Sequence, residues 1–492
     1  MARQILKVNS RELEKSRWSA SDTIAITLVT AVAAAIRGFH LSFPPGITFD
    51  ELFYAREACN YVYHSPNLCG VPLDAVSPHP PLGKLLISLG IRAFGWQAFG
   101  WRAAVLLTGT ASVAILYLLA RKTLRSTGGA TFAAGLLAID FLHFVYSRVA
   151  MIDTILTFFI LASFLLAVVD RDGNLREHPD AENRSSLLSR TFSRPWLLAA
   201  GGAGGAAIAT KWNGLSSLAG VALLFLISIL IRPSSKTIYA KLESALRRDW
   251  PSLTLALVVT PVLIYILSFV AITEGTVLTW PWIHGSWPRN FAREQREMLN
   301  FHFPSAADLK KSEIYWVAKT HPDVSPAWSW PLIKRPERYY IEDTAGGEHR
   351  RIVAMGSPLV WWTSIAAFAY LILQIGRGRQ NDAAIVALTG ISVLYLPFLL
   401  VSGVRSAPFL HDMLPSVPFM CLALAAVPHG WGSSFSKFIV IGFATAAVAL
   451  FIFFYPILVG SPLSQDALHA RQWFQDCAPS VDIAAPKGWC WK

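Results

Sequence analysis

Apolar blocks punctuate this chain from end to end. Windows of about twenty residues, nearly free of charge, recur near 22–41, 101–120, 129–146, 153–169, 196–211, 213–231, 251–271, 357–376, 382–401, 409–427 and 437–459. A bilayer core takes about twenty helical residues to cross. Inside it each backbone N–H and C=O must be bonded, which selects the α-helix for such segments. Composition agrees, with 53% of the 492 residues hydrophobic and 15% charged, against roughly 25% charged in a soluble domain. No soluble interior accommodates this much apolar surface, so disorder, a coiled coil and a secreted disulfide scaffold are excluded. The expectation is an all-α, polytopic integral membrane protein of about eleven transmembrane helices.

The loops set its orientation. Arg3, Lys7, Arg11, Lys15 and Arg17 precede the first window. Alternation places Arg121, Lys122 and Arg125 on the same side, with the basic loops 170–195, 232–250 and 377–381. Cations gather on cytoplasmic loops, so the tail 1–21 is expected inside and the C-terminal segment 461–492 outside. Between them lies a membrane domain, 22–460, with large outer loops near 42–100 and 272–356. The net charge of +12 is then a topological signal, and no basic soluble module argues for nucleic acid. The first window is too long for a signal h-region and has no small-residue cleavage site. Cys59 and Cys69 fall in the first outer loop, and Cys477 and Cys490 in the outer tail. Two local disulfides in an oxidising compartment are one reading; four free thiols are the other. Neither pair has the spacing of a structural zinc site.

Ionisable residues gather at the outer ends of the windows. Asp50 and Glu51 follow the first, Arg102 opens the second, and Arg148 and Asp153 bracket the turn between the third and fourth. Lys211 ends the fifth; His411 and Asp412 open the tenth. Single charges at span ends are ordinarily snorkelling anchors. Several acids and bases converging at one apolar–water boundary suit a phosphate on a lipid tail instead. Asp50 is read either as a helix N-cap or as a general base able to deprotonate a hydroxyl. In Ser77-Pro78-His79-Pro80-Pro81-Leu82-Gly83-Lys84 the prolines fix the backbone and set His79 before an amphipathic segment, 82–95.

Taken in order, these motifs resemble the protein O-mannosyltransferase family, lipid-phosphate-mannose-dependent enzymes of the GT-C class. The similar elements are Phe49-Asp50-Glu51, His79 through Lys84, Trp101-Arg102 with Gly109, Ser147-Arg148 through Asp153, and Thr210-Lys211-Trp212-Asn213-Gly214. They continue with Pro326 through Pro331, Gly356 through Trp362, and Phe409-Leu410-His411 through Pro415. Nearly the whole chain is covered. The departures are Ser77 where the family often has an acid (Asp74 is the nearest) and Asp412 where it has an aromatic. The loop 272–356 is too short for the lumenal repeats of eukaryotic members, as in the bacterial branch.

The resemblance implies a polyprenyl-phosphate-mannose donor and Ser or Thr hydroxyls of translocated, secreted proteins as acceptors. It implies a cell-membrane location, with the secretion translocon as a candidate partner, and inversion in a single displacement. Asp50 is then the expected base, a partly desolvated carboxylate beside Glu51 with its pKa raised, and Glu51 is read as catalytic or as holding the acceptor backbone. The leaving phosphate needs cations, for which Arg102 and Lys211 lead, with Arg148 third. His79, Lys84, Asp153 and His411 are expected in support. For Arg148 and Asp153 the alternative is a mutual ion pair; for Trp328, Trp330, Trp361 and Trp362 it is the interfacial aromatic belt. No residue cluster has metal-ligand spacing, so the expectation is no metal ligand, with metal dependence open. Two rivals stand: a related enzyme acting on a lipid or polysaccharide, and a transporter, which would use charges inside the spans, where Arg37 and Asp140 are the obvious ones.

Overall fold

The computed structural model describes residues 17–72, 78–176, 191–231, 237–270, 287–303, 323–379, 381–401, 408–428, 434–477 and 488–491, with short strands at 272–273, 276–277, 479–480 and 483–486. Asp74, Ser77 and the tail before residue 17 lie outside these residues. The helices that build the body are α1 (Ala20–Gly38), α2 (Glu51–Tyr63), α3 (Leu82–Phe94), α4 (Ala98–Leu124), α5 (Thr127–Ile139), α6 (Phe141–Tyr146), α7 (Ile152–Arg176) and α8 (Pro195–Thr210). They continue with α9 (Leu215–Leu230), α10 (Ile238–Thr254), α11 (Pro358–Gly376), α12 (Asp382–Val401), α13 (Val417–Ala426) and α14 (Ser434–Val459). Among the described residues, 8 helices are long and apolar enough to cross a membrane. The windows near 129–146, 196–211 and 409–427 hold the shorter α5, α8 and α13. The protein is thus a mostly helical, multi-pass membrane protein.

Local chemistry explains the boundaries. Ser19 and Asp22 form a capping box at the start of α1. The window 129–146 breaks because Asp140, extended, accepts from the N–H of His143 and starts α6 afresh. The expected loop 232–250 is largely helix instead. Thr237 caps α10, whose helix runs on through a π segment, Leu255–Val259, to Val270. Its early turns carry Lys and Arg, so their polarity masked a helix that hydropathy alone counts from 251. In Gly201-Gly202-Ala203-Gly204-Gly205 the small residues serve packing: a Cβ on Gly201 would fall within the envelope of the Ala256 carbonyl oxygen.

Buried ion pairs sew one end of the bundle. Asp22, at 0% exposure, accepts from Arg121 Nε at 2.7 Å, Thr127 Oγ1 at 2.6 Å and Tyr117 Oη at 3.1 Å. Arg194 pairs with Asp170 and with Asp249. At the other end, guanidinium groups hold backbone carbonyls. Arg37 donates to Ala138 and Leu137 at the end of α5, and Arg148 donates to Arg37 and Phe39 at the end of α1. A positive charge at a helix C-terminus satisfies its orphan carbonyls and opposes its dipole. Asp140 accepts from Trp361 Nε1 at 2.9 Å and from the Ser357 N–H at 3.3 Å. Arg37 and Asp140 therefore lock helix ends together, which is the opposite of what a transport pathway asks of them.

An antiparallel hairpin, Glu337–Asp343 with His349–Ala354, packs against this second end. The C-terminal segment joins it there, with the Cys490 N–H donating to Lys334 O and Trp491 Nε1 to Ile333 O. Of the two readings of the outer cysteines, the structure has the disulfides Cys59–Cys69 and Cys477–Cys490. Cys421 is buried and free. The tryptophans divide. Trp330 and Trp361 are 1% and 0% exposed, which removes them from an interfacial belt, whereas Trp328 is 56% exposed.

Candidate active site

The loop from α1 to α2 is where the acidic pair sits, and three arginines shape its approach. Arg148 and Arg37 fix the end of α1, as above. Arg102, wholly buried in α4, donates to the carbonyls of Leu41, Pro44 and Gly46. The same guanidinium grips Glu51 with both faces of its fork, Nε to Oε1 at 2.7 Å and Nη2 to Oε2 at 2.9 Å. Glu51 also accepts from the Ala150 N–H at 2.9 Å, the Thr48 N–H at 3.0 Å and Thr48 Oγ1 at 3.1 Å. Its carboxylate is saturated by protein donors. Gly109 permits the close approach of α4 to this turn, since a Cβ there would overlap Ser147 Oγ.

Asp50 is treated differently by the same loop. It occupies the N-cap position of α2, yet its side chain makes no capping hydrogen bond. Burial pushes its pKa up to about 6; the charges that act on it are His411 and Lys211, which lower it, and Asp153 and Glu337, which raise it. The expectation of a pKa raised by partial desolvation stands. Glu51, paired with Arg102, is not among the charges that act on it.

Those neighbours form one buried cluster drawn from four parts of the chain. Lys211 extends from the residue that ends α8 and is 3% exposed. Its Nζ lies 2.8 Å from Asp153 Oδ1 and 3.3 Å from Asp412 Oδ1. Asp153 comes from the first turn of α7, and Asp412 from the 3-10 turn Leu410–Ser416. The neighbouring His411 donates its backbone N–H to Glu337 Oε1 at 2.8 Å, and its Nδ1 lies 3.2 Å from either Glu337 oxygen. Tyr146 Oη donates to Glu337 Oε2 at 2.6 Å and is itself bonded by Tyr339 Oη. Phe49 stacks on Tyr339 with ring centres 4.4 Å apart, tying the hairpin to the residue before Asp50.

Among the residues expected to act, Asp50, Lys211, Asp153 and His411 are thus brought together. Arg148 and Asp153 do not pair: Arg148 holds carbonyls and Asp153 holds Lys211. His79 and Lys84 stand in a neighbouring group. Lys84 bonds Glu57 at 2.7 Å and the His79 carbonyl at 3.1 Å, and the His79 ring lies 5.1 Å from that of His302. One site residue, Glu337, has no place in the sequence reading. It lies in a charged stretch without a motif, and in the fold Glu337 and Tyr339 are buried and alternate with half-buried neighbours along a strand. Asp412, placed by the sequence beside His411 but given no role, shares Lys211 with Asp153.

The expectation that no cluster has metal-ligand spacing is corrected by the fold. Asp153, His411 and Asp412 each bring one ligand atom to within 4.8 Å of the others, a spacing at which three side chains can hold a metal ion. Residues 153 and 411 are too far apart in sequence for any spacing rule to find.

Comparison with known proteins follows the same chain order. Residues 93–273 match the family model described as dolichyl-phosphate-mannose-protein mannosyltransferase. Residues 288–477 match that of the C-terminal four TMM region of protein-O-mannosyltransferase. The chain is 27% identical over 485 residues to the polyprenol-phosphate-mannose–protein mannosyltransferase of Mycobacterium tuberculosis, covering 91% of this chain and 90% of that one. For the protein of the same name from Corynebacterium glutamicum the figures are 26% over 500 residues, with 94% of each covered. The fold is similar to the S. cerevisiae protein O-mannosyltransferase Pmt1-Pmt2 complex bound to the sugar donor, with a TM-score of 0.69 and 15% identity over 96% of this chain and 94% of that one. It is similar to ArnT from Cupriavidus metallidurans bound to undecaprenyl phosphate at a TM-score of 0.50 and 18% identity, covering 92% and 72%.

Proposed function

Because the chain belongs to the protein O-mannosyltransferase family and is a GT-C glycosyltransferase that draws its sugar from a lipid phosphate, we propose that it moves mannose from polyprenyl phosphate to Ser or Thr hydroxyls of secreted proteins, on the outer face of the cell membrane. The reaction is a single displacement. The acceptor oxygen bonds to the anomeric carbon as that carbon's bond to the phosphate oxygen breaks. The electron pair leaves with the lipid phosphate, the hydroxyl proton passes to Asp50, and the configuration inverts.

One observation carries this assignment. Of two adjacent carboxylates, Glu51 is saturated by donors while Asp50 has no capping bond and a pKa near 6. A base must be unencumbered and within reach of the proton it takes; Asp50 meets the first condition and Glu51 does not. Arg102 and Arg148 spend their donors on the loop that carries Asp50, so their part is positioning. Lys211 is the cation that meets the leaving phosphate, with His411 beside it. The phosphate departs already charged and needs no general acid. The family's named relatives act on proteins, which supports the protein acceptor over a lipid or polysaccharide.

The test is direct. Purified enzyme in detergent, given synthetic polyprenyl-phosphate-mannose and a Ser/Thr-rich peptide, is expected to yield a peptide heavier by one hexose in α linkage if the donor is β-linked. Hexose transferred only to lipid or glycan acceptors would contradict the protein acceptor; a retained configuration would contradict the single displacement.

A further inference from the structure

Toward the end of the bundle away from Asp50, four helices leave a groove of about 310 Å³ between them. α13 has only 10 residues and packs on α5 and α11. Its last turn, at Leu424, forms part of the groove floor. Phe132 of α5 completes the floor and meets Phe443 of α14 edge-on, ring centres 5.8 Å apart. α11 supplies one wall with Thr363, Ala366 and Tyr370, and α14 the other with Val440. Thr363 Oγ1 donates to the Leu359 carbonyl of its own helix, so an occupant meets mainly hydrocarbon. Both walls belong to helices long and apolar enough to cross a membrane. The polar signal is at the mouth. Thr363 and Tyr370 stand seven residues apart on one helix face, and the next step of seven reaches Arg377, the C-cap of α11. On α14, Phe443 and Val440 stand three apart, and the next step of three reaches Lys437. α11 starts at Ser357 beside Asp140, at the site end. α14 runs toward that same end, where Leu463 pairs with His349 of the hairpin. Arg377 and Lys437 therefore share the opposite end. Both are exposed, and neither makes an ion pair among the described residues.

We infer that this groove holds an acyl chain of an anionic glycerophospholipid, its phosphate drawn to Arg377 and Lys437, in the leaflet opposite the active site. A single cation at a span end is ordinarily a snorkelling anchor. Here the two walls of one apolar groove each carry a cation on the face that lines it, which matches hydrocarbon to the tail and positive charge to the head. Gln374, four residues past Tyr370, accepts from Arg379 Nη1 at 3.0 Å and adds a third cation to the same lip. The cytoplasmic leaflet is the one rich in anionic lipid, and the outer-face reaction proposed above sets this end there. A zwitterionic lipid fills the groove equally well but gains nothing net from the cations. Each cation near an anionic head group is worth about a fivefold preference.

Native mass spectrometry of the full-length, delipidated protein in detergent tests this, with dioleoyl phosphatidylglycerol and dioleoyl phosphatidylcholine titrated separately. The wild type is expected to retain one phosphatidylglycerol at least fivefold more tightly than phosphatidylcholine. Ala366→Trp, a change at an exposed position of the groove wall, should weaken phosphatidylglycerol binding at least tenfold. Arg377→Gln with Lys437→Gln should bring the two lipids to within twofold of each other and leave phosphatidylcholine affinity unchanged. Leu107→Trp, on a lipid-facing position of α4 that is 69% exposed, should behave as wild type. Phosphatidylglycerol bound no more tightly than phosphatidylcholine by the wild type overturns the inference, as does unchanged phosphatidylglycerol binding by Ala366→Trp. A dimer mass that Ala366→Trp disperses would assign the groove to a second copy of the chain and equally overturn it. The wild-type comparison requires no substitution, so a variant that fails to fold leaves the test intact. Lipid binding is read without mannose transfer, so failure of the proposed reaction is distinguished from failure of the lipid site.

Discussion

At Glu337 a single buried carboxylate gathers three donors, from Tyr146 Oη, the His411 N–H and His411 Nδ1. Because Glu337 touches no reacting group, its part is to fix the imidazole beside Asp50 and Lys211. Glu337→Gln keeps the shape and removes the charge. Charge-assisted hydrogen bonds of this kind are worth about 1.5–3 kcal/mol, so kcat is expected to fall roughly ten- to a hundredfold while donor affinity changes little. Steady-state kinetics in both substrates checks this, and an unchanged kcat removes Glu337 from the site. Asp50, by contrast, was legible at once, since an acidic pair just past a span invites the reading of a base. What the sequence could not divide was the pair itself. Which carboxylate is free depends on Arg102 and on the Ala150 N–H, both about a hundred residues or fewer away in chain but in contact only after folding.

At the scale of elements, the ends of α1 and α5 and the loop before α2 are held by guanidinium groups on carbonyls. The sequence places Arg102 and Arg148 at span ends at the right depth for phosphate, which is why phosphate was the natural expectation. It cannot display carbonyls as competitors, because every residue carries one. The consequence for stability is specific. Arg102→Ala leaves Glu51 buried and unpaired, and breaking a buried pair costs roughly 3–5 kcal/mol. A lowered thermal unfolding midpoint in detergent is therefore expected, with Arg102→Lys recovering only part because a point charge replaces a fork. If Arg102→Ala unfolds with the wild type and instead only raises the KM for donor, the guanidinium serves the phosphate. Helices with long apolar windows, such as α1 with its capping box and α4, are legible to within a few residues at each end. The hairpin of Glu337–Asp343 with His349–Ala354 is not, because its strands are polar and their pairing is set by register within a large loop.

Across the whole molecule, two ends of the bundle carry different chemistry. One has ion pairs such as Arg121–Asp22 and Arg194–Asp170; the other has the hairpin, both disulfides and the site. Disulfides belong to an oxidising compartment and cations gather on cytoplasmic loops, so the proposed orientation sets the disulfide end outside. Arg247→Cys is therefore expected to react with a membrane-impermeant thiol reagent only after permeabilisation, and Asp343→Cys in intact cells; the reverse pattern would overturn the orientation. The account turns on Asp50 as the base. The measurement that reaches it most directly is the pH dependence of mannose transfer by the wild type, set beside transfer and donor binding by Asp50→Asn. A base with a pKa near 6 must be ionised to act, so the wild-type rate should fall about tenfold per unit below pH 6 and level off above it. Asp50→Asn should bind donor normally and lose transfer by roughly a hundred- to ten-thousandfold. Transfer by Asp50→Asn within about threefold of wild type, far inside the loss a general base accounts for, would contradict the assignment.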